Sequence, residues 1–195
     1  MLKNSGLSRV TLAGACVAAA VACSACGVAG DDAGKTLAGS ISAPSTQAQP
    51  LGTADPAPKT QRPSEPAQLA VVGVRVGAHE GFDRVVVDLE GEGEPGWFID
   101  YTSTPMQETV GRPLHVAGNS FLNINVDGTV YPFELGKDNN VPVKMAGDTG
   151  NVIDVISAGT YEGRSQIVVG LRSELPYSVQ VLDNPKRVVV DIVQQ

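Results

Sequence analysis

The chain has 195 residues, of which 21 are acidic and 14 basic, for a formal net charge of −7. That length fits one ordinary domain with appendages. The acidic balance excludes nucleic-acid binding, which needs a clustered Lys/Arg surface to replace counterions, and attachment to anionic lipid by charge alone.

The chain opens as an address. Lys3 and Arg9 make a basic start, and Val10 to Ala22 form an uncharged, alanine-rich run too short and too weakly apolar to remain as a membrane-spanning helix. Residues 1–22 therefore read as a signal peptide. All three cysteines, Cys16, Cys23 and Cys26, fall in the first 26 residues, so a disulfide framework is excluded for the rest. Ala20-Val21-Ala22 supplies the small or apolar residues that precede a lipidated cysteine, which makes Cys23 the expected lipidated N-terminus. Cys26, after Ser24-Ala25, is the alternative, and a cleaved secretory signal with incidental cysteines is the plainer reading. Two or three acyl chains at ~0.8 kcal/mol per buried CH₂ would anchor the chain stably.

Residues 23–67 read as a disordered linker. Pro44, Pro50, Pro56, Pro58, Pro63 and Pro66 are interspersed with Ser, Thr, Gln, Ala and Gly, and no aromatic occurs. Such a composition buries too little apolar surface to offset its ordering entropy. As a coil of about 40 residues it would hold the following domain ~35–40 Å from the membrane on average.

Residues 68–195 carry strand signals throughout. Ala70, Val72, Val74 and Val76 share one face, and Glu80-Gly81 turns the chain into Arg84-Val85-Val86-Val87-Asp88-Leu89. At a two-residue period Arg84, Val86 and Asp88 point outward, while Val85, Val87 and Leu89 line the core. Trp97, Ile99 and Tyr101 alternate with Phe98 and Asp100; Leu122, Ile124 and Val126 alternate with Asn123 and Asn125 up to the turn Asp127-Gly128. Pro132 demotes Val130 to Leu135 to an edge or irregular strand, and the Gly-, Asp- and Asn-rich segment Gly136 to Asn151 reads as a long loop. Apolar alternation resumes from Ile153 and closes on Arg187-Val188-Val189-Val190-Asp191-Ile192, a second copy of the earlier phrase.

No window holds a 3.6-residue pattern over three turns. Short strands at 8–12-residue spacing predict an all-β domain, an antiparallel β-sandwich or a closely related barrel. A second repeat aligns Val74 to Leu89 with Ile156 to Leu171, matching Glu80-Gly81 to Glu162-Gly163, and then Pro95-Gly96-Trp97 to Leu175-Pro176-Tyr177. It predicts an internal pseudo-two-fold, but it competes with the doubled phrase, because it pairs Arg84 with Gln166 and not with Arg187.

Gly159-Thr160-Tyr161-Glu162-Gly163, Ser165 to Leu171, Pro176-Tyr177-Ser178-Val179 and Asn184-Pro185-Lys186-Arg187 to Ile192 resemble the actinobacterial AMIN-like lipoproteins. The resemblance covers residues 68–195, and the leader and Pro-rich linker match that architecture. The closing strand is also similar to the end of true AMIN domains, β-sandwich modules of cell-wall amidases and secretin pilots. What the resemblance implies is an exported lipoprotein on the outer face of the cell membrane, binding peptidoglycan or a related wall glycan.

The residues offer little chemistry beside that. His79 and His115 lack the companions of a zinc site, no Gly-x-Ser-x-Gly elbow occurs, and the domain has no cysteine nucleophile. No cofactor, metal or catalytic set is expected. Carboxylates such as Glu90, Glu92 and Asp100 read as solubilising charge. For binding, the outward pairs Arg84/Asp88 and Arg187/Asp191 are the candidates: guanidinium and carboxylate about 7 Å apart along a strand can grip a sugar hydroxyl or a stem-peptide carboxylate. The bland reading of the same pairs is cross-strand ion pairing on an exposed face, at under ~1 kcal/mol each. Trp97 is the candidate for stacking on a sugar ring, or else an aromatic capping the core. A protein partner from the envelope, met through an edge strand or the outer sheet face, is the alternative to wall binding.

Overall fold

The computed structural model describes residues 47–146 and 150–194. The signal-peptide run, Cys23, Cys26 and the first half of the expected linker lie outside the described residues. In chain order the strands are β1 (Lys59–Gln61), β2 (Ser64–His79), β3 (Phe82–Glu94), β4 (Gly96–Thr102), β5 (Met106–Gln107) and β6 (Arg112–Pro113). There follow β7 (Ser120–Asp127), β8 (Val143–Ala146), β9 (Val152–Tyr161), β10 (Arg164–Leu171), β11 (Tyr177–Leu182) and β12 (Arg187–Val193).

Two five-stranded sheets form the sandwich. One has the order β11-β12-β3-β2-β8 and the other β1-β4-β7-β10-β9, while β5 and β6 make a separate two-stranded hairpin. The alternation seen in the sequence sets the faces. Val85, Val87, Leu89, Val188, Val190 and Ile192 of the first sheet pack on Trp97, Ile99, Leu122, Ile124, Ile167 and Val169 of the second, all in one core. Burying each such aliphatic side chain stabilises the fold by about 1.5–3 kcal/mol before conformational entropy is counted.

The competition between the two sequence repeats is resolved by topology. The hairpin β2-β3 lies in the first sheet and β9-β10 in the second, and each chain half then crosses over: β3 leads to β4 in the opposite sheet, β10 to β11. Mapping β2, β3, β4 and β7 onto β9, β10, β11 and β12 turns the order β2-β3-β12-β11 into β9-β10-β7-β4, which is the observed second sheet. The Glu-Gly repeat is thus the true internal two-fold. The doubled Arg-Val-Val-Val-Asp phrase has another origin. Its copies are antiparallel neighbours, with Arg187 opposite Asp88, Val189 opposite Val86 and Asp191 opposite Arg84.

Three expectations need correction. The linker does not extend to Ala67. Asp55 exchanges two backbone hydrogen bonds of 3.1 Å with Tyr177, β1 pairs with β4, and Ser64 already pairs with Glu94. A Cβ on Gly96 would lie 2.4 Å from the Pro63 nitrogen, so this segment rests directly on the sheet. Composition weighs side-chain burial, whereas this stretch is held by its backbone at a sheet edge. Second, Pro132–Leu135 forms a 3₁₀ turn where an irregular strand was expected, because Pro132 has no N–H to give a ladder. Third, the expected loop from Gly136 to Asn151 contains β8, which joins β2 in parallel.

Tyr177 is the largest fully buried side chain. Its hydroxyl lies 2.8 Å from the Ile99 carbonyl and 3.0 Å from that of Ala57, so it ties the early segment to both sheets. Burial pushes its pKa far up, with the charges of Tyr101, Asp100 and Asp55 adding to the shift. Tyr177→Phe is expected to cost about 1–2 kcal/mol, read as a lower urea midpoint at unchanged slope, because the buried Ile99 carbonyl loses its donor.

Candidate functional site

The outward pairs singled out in the sequence are engaged within the protein. Arg84 meets Asp191 across the β3–β12 ladder, Nε donating to Oδ1 at 2.7 Å and Nη2 to Oδ2 at 2.8 Å. Asp191 is fully buried, and the two outward valines beside it, Val86 and Val189, are buried too. An extended strap, residues 47–52, lies over this face. The Leu51 N–H donates to Asp191 Oδ2 at 2.6 Å, Arg84 Nη2 donates to the Gln49 carbonyl at 3.0 Å, and the Ser178 hydroxyl donates to the Leu51 carbonyl. Asp88 is held bidentately by Arg75 at 2.7 and 2.6 Å, and this contact raises the Arg75 pKa. Arg187, although opposite Asp88 in register, donates to the carbonyls of Asp183 and Pro185 in its own turn. Trp97 is 8% exposed and part of the core, so it has no free face for a sugar. These five residues do not converge on one open site.

An open site lies on the other sheet. Because Leu122, Ile124 and Val126 point inward, β7 presents Asn123, Asn125 and Asp127 outward, beside Gln166 and Arg164 of β10. The segment between β4 and β7 folds back over this polar face, held from beneath by Gln166. The Gln166 amide accepts from the Glu108 N–H at 3.0 Å and donates to the Met106 carbonyl at 2.8 Å and to Asn123 Oδ1 at 3.0 Å. Gly170 permits the close return: a Cβ there would sit 1.9 Å from the Ala117 carbonyl.

The product is a polar cup of about 360 Å³ whose lining includes Glu108, Asp127, Tyr161, Glu162, Arg164 and Gln166. Glu108 Oε1 accepts from the side-chain amides of Asn123 at 3.1 Å and Asn125 at 2.9 Å. Arg164 grips Asp127 through Nε at 2.7 Å and Nη2 at 3.2 Å, while its Nη1 stands 3.8 Å from Glu108 Oε2. Tyr161 and Glu162 come from the β9–β10 turn, where Glu162 (φ 48) and Gly163 (φ 81) both take the left-handed conformation of a two-residue hairpin. The Tyr161 ring is 45% exposed, and the hydrogen bond to Glu162 raises its hydroxyl pKa.

The sequence matches a family. The model of the AMIN-like domain covers residues 69–194. The chain belongs to the AMIN-like domain family. No match was found among the curated proteins. The match thus takes in the cup and all of both sheets except β1 and the first residues of β2, and with them the strands bearing Arg84, Asp88, Arg187 and Asp191. Among its described residues no group of three His, Cys, Asp or Glu side chains is placed to hold a metal ion.

The cup was legible only in part. Asn123, Asn125 and Asp127 alternate with apolar residues, and that rhythm marks an amide-rich outer face. The approach of Glu108 has no such signature, since it depends on a loop with no period of its own. Behind the cup, burial and then the charge of Glu108 raise the pKa of Asp100. An acid with a raised folded pKa favours the fold when protonated, so this contribution is present below pH ~3.8 and is lost as pH rises through the folded value. Asp100→Asn is therefore expected to stabilise the AMIN-like domain at pH 7, by well under ~1 kcal/mol given its partial exposure. Paired melts at pH 7 and pH 3 should show the gain only at the higher pH.

Proposed function

We propose that this AMIN-like domain is a non-catalytic binding module of the cell envelope that takes peptidoglycan or a related wall glycan in the Glu108–Tyr161–Arg164 cup. The observation that carries this reading is the exposed tyrosine ring beside fixed carboxylate, amide and guanidinium groups. Sugars are bound in this way, with planar polar groups taking hydroxyls and an aromatic face taking the apolar side of the ring. The leader and Cys23, with Cys26 as alternative, support a lipid anchor on the outer face of the membrane, and intact-mass analysis of the mature N-terminus tests it. Co-sedimentation with purified sacculi tests the ligand. The purified domain should pellet with the wall, and Tyr161→Ala combined with Glu162→Gln should release it. A domain that stays in the supernatant at both low and physiological salt overturns the reading.

One observation favours a protein partner instead. Tyr131 and Phe133 stack at 5.4 Å on the 3₁₀ turn and are 40% and 58% exposed, an apolar ledge of the kind protein interfaces use. Under this second reading, in-cell cross-linking through Phe133 traps a protein and sacculi bind nothing.

A further inference from the structure

We infer that the cup receives a primary ammonium group carried by wall material, such as the free amine of a de-N-acetylated amino sugar or of a diamino acid in a stem peptide. The inference rests on the wall-binding reading and deepens it.

The charge of the cup points to a cation. Its lining holds three carboxylates, Glu108, Asp127 and Glu162, against one guanidinium, Arg164. Arg164 is already committed, bidentate to Asp127 and 3.8 Å from Glu108 Oε2. An anionic ligand would find no uncommitted cation there and two further carboxylates to repel it. A primary ammonium meets the opposite case: three donors on a compact charge, with carboxylate acceptors on the wall of a small cavity. The Tyr161 ring at the rim adds a π face for the same cation.

Beneath the cup, a layer of strand amides holds its Glu108 carboxylate in place. Asn125 is 1% exposed, and its Oδ1 has no hydrogen-bond partner among the described residues. Its Nδ2 donates to Glu108 Oε1, and across the ladder it faces Gln166, so this buried acceptor stands unused beside the cup carboxylate. Stability alone does not call for a carboxylate fixed by two strand asparagines next to an unsatisfied acceptor.

The test compares untreated sacculi with sacculi whose amines have been capped by acetic anhydride. Capping is expected to weaken retention about tenfold or more. Tetraglucosamine and a lysine-containing stem tripeptide, followed by amide NMR, distinguish the two sources of the amine, while tetra-N-acetylglucosamine serves as the uncharged control. At least one amine probe should shift Tyr161, Gly163 and Gln166 more than the control does, and the shift should shrink in high salt. Glu108→Gln keeps an acceptor for the two asparagines, and Glu162→Gln changes an exposed turn residue, so both should fold. Each should weaken the amine probe about tenfold. Equal binding of capped and untreated sacculi overturns the ammonium inference and leaves the wall reading standing. If neither preparation is bound, the wall reading falls, and the probes alone decide the ammonium site. Absence of shifts with both amine probes overturns it.

Discussion

Replacing Asp83 with alanine is expected to cost the domain about 3–5 kcal/mol, a large share of the stability of a domain this size. Asp83 is fully buried in β3. Its carboxylate accepts three backbone N–H groups at the entry to β9, from Gly150 at 3.0 Å, Asn151 at 2.5 Å and Val152 at 2.9 Å. The bonds run between the sheets, because β3 and β9 belong to different ones. They also fix Asn151, whose side chain holds Ser173 through the Ser173 carbonyl at 2.8 Å and N–H at 3.1 Å. Alanine would take the acceptor from the buried N–H groups of Asn151 and Val152 and from the half-buried one of Gly150, and would release the start of β9. Asparagine keeps the size but loses the charge and offers N–H where an acceptor is required, so it should cost more than half as much as alanine. Urea unfolding followed by circular dichroism measures both. A loss under ~1 kcal/mol for the alanine variant would show that the three bonds are replaced by solvent.

Asp83 also shows where reading the sequence stops. The inward and outward faces of β3, β7, β10 and β12 follow from a two-residue period, because a strand turns its side chains alternately whatever it pairs with. The Glu-Gly hairpins at Gly81 and Gly163 are equally local. Partner choice is not local. Nothing within Phe82 to Leu89 says that β12 lies alongside it, so the phrase Arg-Val-Val-Val-Asp looked like a repeat when it was a neighbour. Trp97 belongs to the core because β4 crosses to the second sheet. The strap at residues 47–52 was hidden by composition, since its order comes from backbone hydrogen bonds to Asp191 and Arg84 and not from apolar side chains. The cup was hidden because Glu108 arrives on a loop, and Asp83 because one aspartate in a strand says nothing about three N–H groups some 70 residues away.

Arg84→Ala is the second large effect, and it separates two meanings of the doubled phrase. If Arg84 served a ligand, its removal would abolish binding and leave stability nearly untouched. The geometry leads to the opposite expectation. Asp191 is fully buried and receives both arms of Arg84, so alanine leaves an uncompensated carboxylate beneath the strap, at a cost of about 3–5 kcal/mol. Replacing both partners by apolar residues of similar size, Arg84→Met with Asp191→Leu, removes the stranded charge together with its desolvation penalty. The double variant should recover most of that loss and still pellet with sacculi, because the cup lies on the other sheet. Arg187→Ala, which loses only bonds to carbonyls in its own turn, should cost under ~1 kcal/mol in the same urea assay. Antiparallel copies of one phrase set each arginine opposite the other copy's aspartate, yet only one crossing closes into an ion pair. At the other, Arg75 from β2 has taken Asp88. A slip of β12 by one residue against β3 would turn Arg187 and Asp191 into the core and Val188, Val190 and Ile192 out of it. The charges of the phrase thus set register within the sandwich.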